Sequence, residues 1–161
     1  MEGELLAAQI EKLLQCADPS VTMLSGSPGI GKSHTLRELR NFYMSKLPLL
    51  YVEAVSLERE PLSVWVPLVR MLIASHLETP VEQLSRAAIR ALLPDGRAAV
   101  DADRVTILLE GRSTRAAQRN LAAEIEIVSS LLCQLMTVPH ALLLDGLERL
   151  SEAAWQVLAA V

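Results

Sequence analysis

The chain has 161 residues, 51% hydrophobic, 21% charged and 3% aromatic, with a formal net charge of −4. That length supports one domain with an aliphatic core, and the mild acidity, with no basic face interleaved with aromatics, argues against direct nucleic-acid binding. No signal peptide and no run of about 20 apolar residues is present, which predicts a cytoplasmic chain with no membrane segment.

In chain order, residues 4–16 carry Leu5, Leu6, Ile10, Leu13 and Leu14 at helical spacing, and Asp18-Pro19 breaks that pattern. VTMLS (21–25) predicts a short buried strand. GSPGIGKS (26–33) follows at once and fits G-x-x-x-x-G-K-[ST], the Walker A phosphate loop. Its glycines let successive amides converge on one point at a helix N-terminus, which suits a polyphosphate. Lys32 brings a positive charge to the β- and γ-phosphates, making it a binding and a catalytic candidate, and the Ser33 hydroxyl is placed for Mg²⁺. The expected nucleotide-binding stretch is Gly26, Ser27, Pro28, Gly29, Ile30, Gly31, Lys32, Ser33, His34 and Thr35, with His34 beside the nucleotide and not acting as a base.

A helix is predicted over 33–46, with Leu36, Leu39, Phe42 and Tyr43 on its buried side and Arg37 and Arg40 as surface charges. LLYVEAV (49–55) predicts a second strand. A helix over 63–76 carries Trp65, Leu68, Val69, Leu72 and Ile73, with Pro67 tolerated near its first turn. Another helix is expected over 81–92, then a loop over 94–103. VTILLEG (105–111) is open between a short strand and a helical turn. Arg112, Arg115 and Arg119 line one helical face and read as solvated charges. Residues 121–136 form a strong helical pattern, with Ile125, Val128, Leu132 and Leu135 repeating at three and four. HALLLD (140–145) predicts a third buried strand, and 151–161 a helix with Ser151 as N-cap. Cys16 and Cys133 have no metal spacing and sit in apolar helical patterns, so buried thiols are expected. His76 and His140 have no acid or cysteine at metal-ligand spacing in the sequence, so a metal site is not expected there. Strands alternating with helices predict an α/β fold with a parallel sheet.

ALLLDGLE (141–148) has the form of a Walker B strand. Its apolar residues bury the strand and Asp145 emerges at the carboxyl edge, where α/β sheets bind ligands. There it can hold Mg²⁺, directly or through water, opposite Ser33. Hydrolysis needs a further carboxylate to orient water. Gly146 cannot serve; Glu148 can if its turn folds back, and is otherwise an exposed loop acid.

These residues together resemble the STAND branch of the AAA+ P-loop ATPases. The nearest likeness is the origin-recognition-complex-like AAA ATPase module found in LuxR-type regulators and type 10 (soluble) adenylyl cyclases. GSPGIGKS, a long mostly helical insert and LLLDGLERL carry the resemblance. EAVSLEREPLSVWVPLVRML (53–72) is similar to the family's segment after its second strand, and EGELLAAQIEKLL (2–14) to its first helix, without the usual arginine. The resemblance implies a three-layer α-β-α P-loop NTPase fold with a mainly parallel sheet, residues 1–161 forming part of that domain. It implies ATP or ADP with Mg²⁺ as ligand, a regulatory switch with weak ATPase activity at most, and further domains or self-association as partners. Many family members pair two acids where this chain has Asp145-Gly146, so binding is favoured over hydrolysis. The family also has a strand between the loop strand and the Walker B strand, and another strand and a lid beyond. The chain therefore reads as truncated after the Walker B strand, with 105–109 the spare strand candidate, and is expected to be poorly stable and prone to associate through unpaired edges. No N-K-x-D guanine reader is present, which favours ATP over GTP. The alternatives are a P-loop small-molecule kinase and a degenerate interaction module that binds no nucleotide.

Overall fold

Two short parallel strands divide the molecule into layers. The computed structural model describes Lys12 and residues 23–45, 49–54, 61–93, 99–110, 120–137 and 140–161. Strand β1 (Leu49–Glu53) pairs with β2 (Ala141–Asp145), Leu49 opposite Ala141 and Glu53 opposite Asp145. Side chains alternate between the faces of a strand. Leu50, Val52, Leu142 and Leu144 turn to one face and join the main hydrophobic cluster. Tyr51, Glu53, Leu143 and Asp145 share the other face, where helix α1 (Lys32–Tyr43) lies.

The cluster side is helical. A 3-10 turn at Ser63–Trp65 leads into α2 (Val66–His76), followed by α3 (Arg86–Ala91), α4 (Ala99–Leu109), α5 (Leu121–Leu135) and α6 (Glu152–Ala160). Val69 and Ile73 of α2, Val105 of α4, Ile127 and Leu131 of α5 and Val157 of α6 are shut off from solvent. Each such side chain contributes about 1.5–3 kcal/mol through burial. The result is a mixed α/β fold, with helices on both faces of a parallel strand pair.

Polar contacts fix the segment that follows β2. Ser151 caps α6 by accepting from the Ala154 amide at 3.1 Å, and its hydroxyl donates to the Pro61 carbonyl at 2.7 Å. The buried Trp65 indole donates to the Ala154 carbonyl at 3.2 Å. These bonds tie the start of α6 to the entrance of α2, so the chain leaving Asp145 is anchored within a few residues.

Several expectations are corrected. Residues 99–103, expected as loop, begin α4, and 105–109, the spare strand candidate, complete it. Val105, Leu108 and Leu109 are buried and Ala102 packs on the same cluster, a spacing of three and four that only a helix can bury on one side. The Thr106 hydroxyl donates to the Ala102 carbonyl at 2.8 Å, and Arg70 closes the helix end by donating to the Leu109 carbonyl at 2.9 Å. The single helix expected over 81–92 is instead a 3-10 turn at Val81–Gln83 and a separate α3. Ser85, in extended conformation, caps α3 through its bond from the Ala88 amide at 3.1 Å and so breaks the run.

Of the strand expected at 21–25, residues 23–25 are irregular, and Met23 is 72% exposed. Among the described residues β2 pairs only with β1, so no neighbour takes up the backbone hydrogen bonds of a strand there. For the same reason β2 is half-exposed along its length and not buried. Phe42 and Cys133 are exposed, against expectation, because α1 and α5 turn those positions away from the layers they cover. The rest of the expected first helix, Cys16, residues 21–22, and Arg112, Arg115 and Arg119 lie outside the described residues.

Candidate functional site

The loop before α1 owes its shape to two glycines. Gly29 and Gly31 have φ of 80° and 97°, in the left-handed region. A Cβ added at either would meet nothing within 4 Å, so the demand is on backbone conformation, not on space. The Ile30 amide donates to the Ser27 carbonyl at 3.3 Å, closing a turn. Gly31 then opens α1 with no side-chain cap and no acidic residue in the first turn. The first-turn amides and the helix dipole are thus left to an anion. The Lys32 ammonium folds back over the loop and donates to the carbonyls of Gly26 (2.7 Å) and Ser27 (3.0 Å). The Thr35 amide and hydroxyl both bond back to the Gly31 carbonyl, at 2.9 and 3.1 Å. Pro28, Ile30 and His34 are exposed.

Ser33 and Asp145 meet. The Ser33 hydroxyl donates to Asp145 Oδ1 at 3.0 Å. Two neighbouring oxygens on an octahedral Mg²⁺ with bonds of about 2.1 Å are also about 3.0 Å apart. A hydroxyl and a carboxylate are hard oxygen donors of the type Mg²⁺ prefers, so the residues present fit the ion. Among the described residues no cluster of three or more His, Cys, Asp or Glu offers another metal site.

Tyr51 also reaches the site, and nothing in the sequence alone marks it. Its hydroxyl donates to Asp145 Oδ2 at 3.2 Å. Strand alternation puts Tyr51 on the face of Glu53, but only the register, Glu53 opposite Asp145, puts it beside this carboxylate. Arg37 and Arg40, expected as plain surface charges, both turn to Tyr51 from α1. The Arg37 guanidinium faces the Tyr51 hydroxyl and lies 3.6 Å from Glu53; both neighbours hold its pKa above the ordinary value, Tyr51 first. Arg40 sits over the Tyr51 ring, 5.5 Å from its centroid. Burial pushes the Tyr51 phenol above its ordinary pKa, with the charges of Asp145 and Glu53 adding to the shift and Arg37 opposing it. The phenol therefore keeps its proton at neutral pH and remains a donor to Asp145.

Beyond Asp145 the backbone turns sharply. Gly146 has φ of 72°, and a Cβ there would lie 2.9 Å from the Ala54 carbonyl oxygen. The Ala54 amide donates to the Asp145 carbonyl at 2.8 Å, which fixes that approach. No side chain fits at this position without moving the end of β1. Glu148 follows in a 3-10 turn, Leu147–Arg149, with its side chain 74% exposed and 3.7 Å from Arg149. It makes no hydrogen bond to the loop or to Asp145. The structure therefore brings together the loop, Lys32, Ser33 and Asp145, and leaves Glu148 outside that group.

Among the described residues no helix is long and apolar enough to cross a membrane. The family described as the AAA ATPase domain matches residues 4–161 of this chain. No curated protein and no solved structure matches it.

Proposed function

Since the chain belongs to the AAA ATPase domain family, a family of P-loop nucleotide-binding modules, we propose that it binds ATP with Mg²⁺ and acts as a nucleotide-dependent switch in a STAND-type cytoplasmic regulator. The observation that carries this reading is the contact between Ser33 and Asp145 at the mouth of the phosphate loop. The loop amides and Lys32 would bind the phosphates, and Ser33 and Asp145 would hold the cation. Bound Mg²⁺ would supply charge neutralisation across the β- and γ-phosphates. Lys32 exchanges its two loop carbonyls for phosphate oxygens of higher charge.

A switch is favoured over a fast ATPase because, among the described residues, no carboxylate besides Asp145 bonds to the loop or to Ser33. Gly146 cannot be replaced by an acid without strain, and Glu148 faces solvent. Exposed Met23, Ile30, Phe42 and Met44 support contact with further domains or a second copy. The whole of 1–161 would serve as one nucleotide-binding domain. Titration with fluorescently labelled ATP and Mg²⁺ tests the reading. Saturable binding that Lys32→Ala weakens, and that excess GTP displaces less well than ATP, is the expected result. Absence of Lys32-dependent binding, in this chain and in a longer one, overturns it.

A further inference from the structure

We propose that Tyr51 is a positioning residue for the cation, its hydroxyl holding one carboxylate oxygen of Asp145 so that the other faces the Mg²⁺ beside Ser33. The inference rests on Asp145 being a cation ligand, as argued above. An aspartate carboxylate can turn about its last torsion and can offer a cation one oxygen or both. Here the two oxygens are not equivalent. Oδ1 accepts from Ser33 at 3.0 Å and Oδ2 from Tyr51 at 3.2 Å. The Ser33 oxygen would turn a lone pair to a cation, which redirects or weakens its bond to Oδ1. The Tyr51 bond leaves Oδ1 free for the cation, because it occupies the other oxygen.

Tyr51 is well supported for this task. It stands on β1, opposite Leu143, in a parallel pairing that continues to Glu53 and Asp145. Its ring lies under Arg40 and its hydroxyl meets Arg37. The phenol also separates two charges. It satisfies Oδ2 with a neutral donor, so the carboxylate keeps the full negative charge that a divalent cation needs. Without the hydroxyl, the Arg37 guanidinium could take its place on Asp145 and compete with the cation as a fixed positive charge.

The test uses the full chain and a Tyr51→Phe variant, which keeps the ring and its place under Arg40. Labelled ATP is titrated at a series of Mg²⁺ concentrations and again in EDTA, and melting temperatures are read without nucleotide. The expected result is a Mg²⁺ requirement raised roughly tenfold or more, the scale of one hydrogen bond to a charged group. ATP affinity in EDTA and the melting temperature should stay at wild-type values. An Arg37→Ala, Tyr51→Phe double variant should recover part of the loss by removing the competing cation. ATP affinity falling equally in EDTA, or an early melt, would mean that Tyr51 acts only through the fold and overturns the inference. A wild-type Mg²⁺ dependence that Tyr51→Phe leaves unmoved overturns this inference alone. Wild-type ATP binding indifferent to Mg²⁺ overturns the role of Asp145 itself.

Discussion

Ser33 and Asp145 lie 112 positions apart in sequence and 3.0 Å apart in space. One opens the first turn of α1 and the other ends β2, so their contact joins the phosphate loop to the carboxyl edge of the sheet. Replacing Asp145 by Asn keeps one acceptor oxygen for either Ser33 or Tyr51, turns the other position into a donor and removes the charge. Asp145→Asn should therefore abolish the gain in ATP affinity that Mg²⁺ brings, while affinity in EDTA stays within about fivefold of wild type, since one neutral hydrogen bond is worth only ~1 kcal/mol. Parallel titrations with and without the ion read this directly.

Among the described residues Lys32 bonds only to exposed loop carbonyls, so its loss has little structural cost. Lys32→Ala should lower ATP affinity by about ten- to a hundredfold, corresponding to the ~1.5–3 kcal/mol of a charge-assisted bond. Its denaturant midpoint should match wild type. A large stability loss without an affinity loss would contradict this role.

Gly146 is constrained twice, by a left-handed backbone and by the Ala54 carbonyl 2.9 Å from where a Cβ would sit. Gly146→Ala should cost about 2–4 kcal/mol, combining left-handed strain with overpacking against backbone. Gly146→Glu, which would restore a paired acid, should unfold the strand end before it gains any hydrolysis. Urea denaturation of both variants measures this.

Glu148 sits in solvent beside Arg149, so reaching a γ-phosphate requires its turn to swing inward. Phosphate release should accordingly be slow, and Glu148→Gln should remove it while sparing ATP affinity. An unchanged rate in that variant would show that another group, or none, orients the water.

Glu78 ends α2 with φ of 50°, a left-handed position that glycine usually fills. The Thr79 amide bonds the Ala74 carbonyl at 2.9 Å and that of Glu78 bonds Ser75 at 3.3 Å, so the backbone there is fixed by the helix end. Glu78→Gly should stabilise the chain by about 0.5–1 kcal/mol, the relief of strain exceeding the extra chain entropy of glycine. Thermal melts far from the nucleotide site can detect it.

Features that rest on local rules were legible along the chain. The phosphate loop needs glycines, a lysine and a serine at fixed spacing, and 26–33 supplies them. LLYVE and ALLLD are apolar runs between breakers and became β1 and β2. The three- and four-residue repeat of α5 and the Ser151 cap of α6 formed as their patterns required. Whatever depended on distant partners emerged with the folded packing. Residues 105–109 suit strand or helix by composition, and packing of Val105 and Leu109 into the cluster selected the helix. Met23 and Leu24 are apolar, but no described strand pairs with them. Tyr51, Arg37 and Arg40 carry no local signal, because their roles follow from the register of β1 on β2 and from where α1 lies on that face. Gly146 could be read from sequence as the lack of an acid; the Ala54 carbonyl makes it a steric necessity. Periodicity and motif spacing are properties of neighbours along the chain, whereas register and close approach are set by pairings whose energies appear only when remote segments meet.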